Sequence, residues 1–383
     1  MEDNARLALL KKAIQFNTAN GNEAPLAQWL QQVLAEHGIQ SELVEFAPHR
    51  AGLVAEIGTG QEPILAFAGH LDTVAPNAAS AWQTDPFAAA IHDGAIYGRG
   101  AVDMKGGLIA TVIALVELHA AGLPKAGTIR LLLSGDEEGS GTGATALTQR
   151  GYLAGVKALV MAEASSQTIE YAHCGSFDYI VYARGKAVHS STPTLGHNAL
   201  MDLVDFINAE QTAFDEVDDN PVLGALVHSI TVLHGGEQLN TIPDAAFLKG
   251  NVRTIPEYDN QATHVRLQAI IDRLNQGGAA LELEVVGDFA PVVTDPANPF
   301  ITQVQAAVKE INQVDAPVVI SKGATDASMY VKGNPDFAFV EYGPGDDTQS
   351  HQVNEHLNLA EFLAAPAVYQ QIAHNFFAAL DKE

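Results

Sequence analysis

Ile64-Leu65-Ala66-Phe67-Ala68 is a short apolar run without a polar break, and Gly69-His70-Leu71-Asp72 follows it at once. Five consecutive apolar residues suit a strand buried on both faces, as in a parallel sheet. A histidine and an aspartate at the end of such a strand are costly to bury unless they are paired or bind a metal. Working outward, the pattern repeats. Segments 128–133 and 158–161 read as further strands; Glu137 and Glu138 follow the first, and Glu163 follows the second. A long apolar helix spans 106–121 and opens at Gly106-Gly107. Strands alternating with helices predict an α/β fold with a mostly parallel sheet and helices on both sides.

Upstream, a helix is expected over 25–37, with Leu26, Trp29, Leu30, Val33 and Leu34 on one face, then strands at 41–46 and 52–57. The character changes near residue 175. From there the order is strand (177–186), helix (197–214), strand (228–234), strand (245–255), helix (259–275) and strand (280–287), the βαββαβ order of a ferredoxin-like α+β unit. Asp295-Pro296-Ala297-Asn298-Pro299 then marks re-entry into the first domain: Asn298 can cap a helix and Pro299 suits its first position. Strands are expected at 317–320 and 337–341. A last helix starts at Asn358, where Glu361 would complete a capping box and Pro366 would kink or restart the helix. The expected domains are therefore 1–175 with 289–383, and an insertion at 176–288.

With 383 residues, 47% of them hydrophobic, the chain is long enough for two cores. A formal net charge of −26 repels phosphate backbones and anionic lipid, so neither nucleic acid nor membrane is an expected partner. Cys174 is the single cysteine, which excludes an internal disulfide and a cysteine-based zinc site. The N-terminal stretch has no basic start followed by an apolar block, and no apolar run is long enough to span a membrane, so a cytoplasmic protein is expected.

The polar residues at strand ends carry the chemistry. Sites in open α/β sheets form at the carboxyl ends of strands. His70, Glu137, Glu138, Glu163 and His351 all follow predicted strands, and Asp103 precedes the helix at 106. Each has a plainer reading: the paired glutamates as a solvated turn, Asp103 as a helix cap, Asp72 as a turn former, either histidine as a surface residue. Jointly, two histidines and several carboxylates suit a pair of divalent ions such as zinc. An aspartate at a rigid loop–helix junction could bridge them, and one carboxylate would remain as a base.

His70-Leu71-Asp72-Thr73, the run Gly98 to Gly107, and Asp136-Glu137-Glu138-Gly139 closely resemble motifs of the metallopeptidase M20 family. Tyr342-Gly343-Pro344-Gly345 with Ser350-His351, His189 to Pro193, Gly196 to Ala199, Asn240 to Pro243 and Arg253 extend the resemblance along essentially the whole chain. The resemblance implies two divalent metal ions, zinc first, with cobalt or manganese as alternatives. It implies that Asp103 bridges them, that His70 and Glu163 complete one site, and that Glu138 and His351 complete the other. Glu137 would be the general base and Asp72 the partner of the His70 imidazole. The Asp103–Met104 peptide would be cis. The inserted unit would serve as lid and homodimer surface, with His189 reaching the partner's site as an oxyanion donor. Arg253, Asn240 and Lys322 would hold the substrate. Asn251 stands where the family often has aspartate, a feature of its desuccinylase-like members. The implied reaction is hydrolysis of an N-acyl amino acid: N-succinyl-diaminopimelate first, N-acetylornithine second, a peptide third. A metal-binding protein without catalysis is the rival, but the presence of Glu137 beside the ligands favours an enzyme.

Overall fold

The computed structural model describes residues 1–77, 79–321 and 323–380. The chain divides into two compact units, one formed by Met1–Ala172, Val293–Ser321 and Thr325–Glu383, the other by His173–Val292 with the short segment 323–324.

The first unit is built on an eight-stranded sheet. Its order across the sheet is Ser41–Ala47, Arg50–Gly58, Thr128–Ser134, Ile64–His70, Val156–Met161, Ala338–Glu341, Ile169–Glu170 and Val318–Val319. The middle of the sheet is parallel: Ile64–His70 runs alongside Thr128–Ser134 on one side and Val156–Met161 on the other, and Ala338–Glu341 continues the set. Every residue of Ile64–His70 is buried, as its unbroken apolar run requires. This arrangement brings the carboxyl ends of four strands to one edge.

Helix Lys105–Ala120 has thirteen of its sixteen residues buried, which explains why it is apolar all round instead of striped. Its first turn presses against the sheet. A Cβ on Gly107 would collide with the carbonyl of Ala162, and one on Gly106 with Leu357 and the Ala101 carbonyl. Glycine is therefore required there by close approach. Helix Pro299–Asn312 begins as the sequence indicates, with Asn298 Oδ1 accepting from Phe300 N at 2.9 Å and Pro299 in the first position.

Two expectations at the C-terminus are corrected. Leu359–Leu380 is one helix that continues through Pro366 without restarting. Phe362, Ala365, Val368, Tyr369, Ile372 and Ala373 on this helix are buried in the core, and that burial outweighs the missing proline N–H. Asn358 caps the helix, accepting from Ala360 N at 2.8 Å, but Glu361 does not close a capping box. Asn358 is paired with Ala95 in a small antiparallel sheet, and Glu361 instead accepts from Gly345 N at 3.1 Å.

The second unit is an antiparallel sheet in the order Val227–Gly235, Ala245–Arg253, Ser176–Arg184, Leu281–Phe289, with helices Ala199–Glu210 and Asn260–Gln276. Burial alternates along Ser176–Arg184, and the inward residues Phe177, Tyr179 and Val181 pack with Leu203, Phe206, Leu267 and Ile271. Among the described residues, no helix is long and apolar enough to cross a membrane.

Candidate active site

Five segments of the first unit place polar side chains at the carboxyl edge of its sheet. His70 is the last residue of its strand, Asp136-Glu137-Glu138 follow Thr128–Ser134, and Glu163 lies two residues beyond Val156–Met161. Asp103 sits two residues before helix Lys105–Ala120. His351 lies in the loop after Ala338–Glu341.

The geometry is organised about Asp103. Its Oδ1 lies 3.2 Å from His70 Nε2, and its Oδ2 lies 3.2 Å from His351 Nε2. Glu163 Oε1 is 3.3 Å from the same His70 nitrogen, and Glu138 Oε2 is 2.9 Å from the same His351 nitrogen. Two donor sets thus share one carboxylate. Donor atoms of His70, Asp103 and Glu138 all fall within 4.8 Å of one another. The residues fit a pair of divalent cations: nitrogen and carboxylate oxygen are the donors borderline metals prefer, and Glu138 Oε1 is buried without a hydrogen-bond partner. The Asp103–Met104 peptide is cis.

The electrostatics show how much positive charge the site needs. Burial is the largest influence on Glu137 and pushes its carboxyl well up; His70 opposes this, while Asp326, Glu163 and Glu138 add to it. Glu163 is likewise raised, by burial first. Burial lowers His70, but Glu163 beside it and hydrogen bonds with Asp103 and Asp72 hold it well above the ordinary imidazole value. Hydrogen bonds to the Asp103 and Glu138 carboxylates, which accept from its imidazolium, raise His351 to about 10. Protons thus take up the charge that cations would otherwise neutralise.

Asp72 does something the sequence does not suggest. The nearer partner of His70 Nδ1 is the main-chain oxygen of Asp72, at 3.0 Å, with the carboxylate Oδ1 at 3.5 Å. The carboxylate instead accepts from the amides of Glu137 and Glu138, each at 3.2 Å. One residue thereby ties the histidine loop to the glutamate turn.

Other groups support the site, and the pairing of the first two escapes sequence reading. Glu355, fully buried, accepts from Arg99 Nη1 at 2.6 Å, Gly100 N at 3.0 Å, Val102 N at 2.7 Å and Asp103 N at 3.1 Å. Arg99 Nη2 also donates to the His351 carbonyl at 3.3 Å. The pair joins the loop of Asp103 to the loop of His351, yet Arg99 and Glu355 are 256 residues apart and nothing local links them. Asp326 is buried under the same site and accepts from Ser134 Oγ; burial raises its carboxyl to about 7.

His189, Asn240 and Arg253 belong to the second unit. His189 is exposed, with Nδ1 2.8 Å from Ser191 Oγ, and the Asn240 carbonyl accepts from Ser190 N at 2.9 Å. Arg253 ends the strand Ala245–Arg253 half-buried; burial pushes the nearby Cys174 thiol up, and the Arg253 charge opposes this only in part. Asn251 donates to Asp178 Oδ1 at 2.6 Å and Ser176 Oγ at 2.9 Å. Lys322 lies outside the described residues.

Comparison with known proteins places this arrangement. The chain is 35% identical to a probable succinyl-diaminopimelate desuccinylase of Staphylococcus epidermidis, covering 100% of this chain and 99% of that protein. It is 27% identical to the succinyl-diaminopimelate desuccinylase of Wolbachia pipientis, covering 98% and 94%. Its fold is similar to that of an M20 family metallo-carboxypeptidase from Sulfolobus solfataricus, with a TM-score of 0.81 at 18% identity over 97% of this chain and 99% of that one. An aminopeptidase of Bacillus cereus gives a TM-score of 0.76 at 18% identity, over 98% and 99%. The sequence model described as "Peptidase family M20/M25/M40" matches residues 66–375, and the chain belongs to that family of hydrolases.

Proposed function

We propose that the protein hydrolyses the amide bond of an N-acyl amino acid, with N-succinyl-diaminopimelate as substrate and succinate and diaminopimelate as products. The observation that carries the chemistry is the sharing of Asp103 between His70 and His351 beside the buried Glu137. The substrate rests on full-length similarity to proteins named for that reaction.

His70, Glu163 and Asp103 would hold one divalent ion and His351, Glu138 and Asp103 the second, zinc by donor chemistry, with cobalt or manganese able to replace it. Bound there, two cations would bring a water toward neutral pKa and stabilise the oxyanion. Glu137 takes the proton of the attacking water as base and returns it to the leaving nitrogen, so the amide bond breaks without net proton change. Asp72 fixes the orientation of His70 and of the Glu137 turn. In the second unit, acting as a lid, His189 supplies an oxyanion donor to the partner's site in a homodimer. Arg253, Asn240 and Lys322 bind the substrate's carboxylate and polar groups, Arg253 through its bidentate fork. The exposed Val227, Val232 and Leu233 of the edge strand Val227–Gly235 offer a surface for the second copy. A cytoplasmic protein without nucleic acid or membrane partner goes with this reading, and the formal net charge of −26 supports it.

The test is a side-by-side assay of zinc-loaded protein on N-succinyl-diaminopimelate and N-acetylornithine. Faster succinate release supports the reading. Preference for N-acetylornithine would replace the substrate but keep the mechanism. Inactivity on both with peptide cleavage would overturn the acyl amino acid class.

A further inference from the structure

The turn that carries Glu137 and Glu138 is held from two sides. On one side the Asp72 carboxylate accepts from both amides. On the other, the preceding residue is held by an arginine from an element remote in sequence. Arg50, the first residue of strand Arg50–Gly58, places Nη1 2.7 Å from Asp136 Oδ1. Its Nε and Nη2 grip Glu23, with Nη2 at 2.5 Å from Oε1 and Nε at 3.1 Å from Oε2. The Glu23 side chain is fully buried, and the guanidinium lies over the Phe46 ring at 5.3 Å.

Asp136 itself is the pivot of the turn. It adopts φ of +69°, a region few residues other than glycine enter, and such a conformation persists only when its surroundings impose it. They do so here. Asp136 Oδ2 accepts from Thr142 Oγ1 at 2.6 Å, and its carbonyl accepts from Gly141 N at 2.7 Å. With Oδ2 engaged by Thr142, Oδ1 is left to the arginine. Gly135 lies so near this pair that a Cβ there would be 3.0 Å from Glu23 Oε1 and 3.0 Å from the Phe46 ring. The turn is thus wrapped on an Arg50–Glu23 anchor, and both anchor residues precede the segment 66–375 matched by the family.

We infer that Arg50, oriented by Glu23, is a positioning residue for hydrolysis: through Asp136 it sets the turn that aims the Glu137 carboxylate and the Glu138 ligand. It acts through that turn and touches neither reacting atoms nor ligand atoms. The inference rests on the reading of Glu137 as base. A turn displaced by about 1 Å loses about 100-fold in rate while substrate binding elsewhere is kept.

The experiment compares Arg50→Met, Arg50→Lys and Asp136→Asn with wild type for kcat, KM, zinc affinity and Tm, using N-succinyl-diaminopimelate. Arg130→Met is the control; it breaks the 2.6 Å pair with Glu56 in the same sheet, away from the turn. Arg50→Met should lower kcat about 100-fold with KM within about threefold, and Arg50→Lys should recover about tenfold of that. Asp136→Asn should lose about tenfold in kcat, and Arg130→Met should lower Tm with kcat within about twofold of wild type. Wild-type kcat in folded Arg50→Met, or a kcat loss in Arg130→Met equal to it, overturns the inference. If Arg50→Met does not fold, unchanged kcat in Asp136→Asn overturns it. If wild type cleaves no N-acyl amino acid, the reading of the reaction has failed, and zinc titration decides the positioning claim. Zinc binding weakened about tenfold in Asp136→Asn upholds it, and unchanged binding overturns it.

Discussion

Asp103 is the residue on which both halves of the site depend, because each of its oxygens faces a different histidine. Truncating it should therefore remove more metal than truncating a ligand of one set. Asp103→Ala is expected to retain no zinc after desalting, and His351→Ala to retain one ion per chain, measured by atomic absorption. Equal retention in the two variants would count against a shared carboxylate. Glu355 belongs to the same scale. Its fully buried carboxylate accepts four hydrogen bonds, one from the similarly buried Arg99. Glu355→Gln would leave the guanidinium without its countercharge, at an expected cost of about 3–5 kcal/mol in urea unfolding. A cost below about 1 kcal/mol would show the pair to be dispensable. Neither Arg99 nor Glu355 can be paired by reading the chain, since a buried ion pair between distant loops leaves no spacing. His70, Glu138 and Glu163 are legible because each follows an apolar strand, where a polar side chain needs a reason.

Among the elements, helix Lys105–Ala120 places Asp103. Its first turn lies so close to the strand end at Ala162 that glycine is required at 107. Gly107→Ala should cost on the order of 1–3 kcal/mol and also reduce zinc binding, because Ala162 adjoins Glu163 and the displaced helix carries Asp103 with it. Loss of stability with wild-type zinc affinity would separate packing from the site. The central strands and this helix can be read from composition alone, because complete burial selects unbroken apolar runs. The end of the chain is harder to read. Pro366 suggests a kink or a restart and Glu361 a capping box; burial of Phe362 and Tyr369 carries one helix through Pro366 without a restart, and the Gly345 contact takes up Glu361. Short pieces such as Ala327–Tyr330 and Ala95–Tyr97 have too few residues to show a period.

For the whole molecule, stability and metal binding should be linked through protons. In metal-free protein the folded pKa values of His70 and His351 lie above the ordinary 6.5, that of His351 at about 10. Their contribution is fully present below 6.5 and is lost as pH rises toward 10. The raised carboxyls of Glu137 and Asp326 act with the same sign. Lys105, whose amine burial lowers to about 7, acts with the opposite sign across this interval, but the two histidines outweigh it. The urea midpoint of metal-free protein should therefore fall as pH rises across this interval, while zinc affinity rises and binding releases protons. Calorimetry in two buffers of different ionisation enthalpy measures the release, and no buffer dependence would contradict it. The change of pattern near residue 175 falls close to the boundary between the two units at Ala172/His173. The central claim is that Glu137 is the base of a two-cation amide hydrolysis and not a ligand. The measurement that tests it most directly is zinc content and turnover of N-succinyl-diaminopimelate by Glu137→Gln beside wild type. The account predicts two zinc ions per chain in both proteins and a loss of kcat of about 10²–10⁴-fold in the variant. Two ions bound with turnover equal to wild type would contradict it.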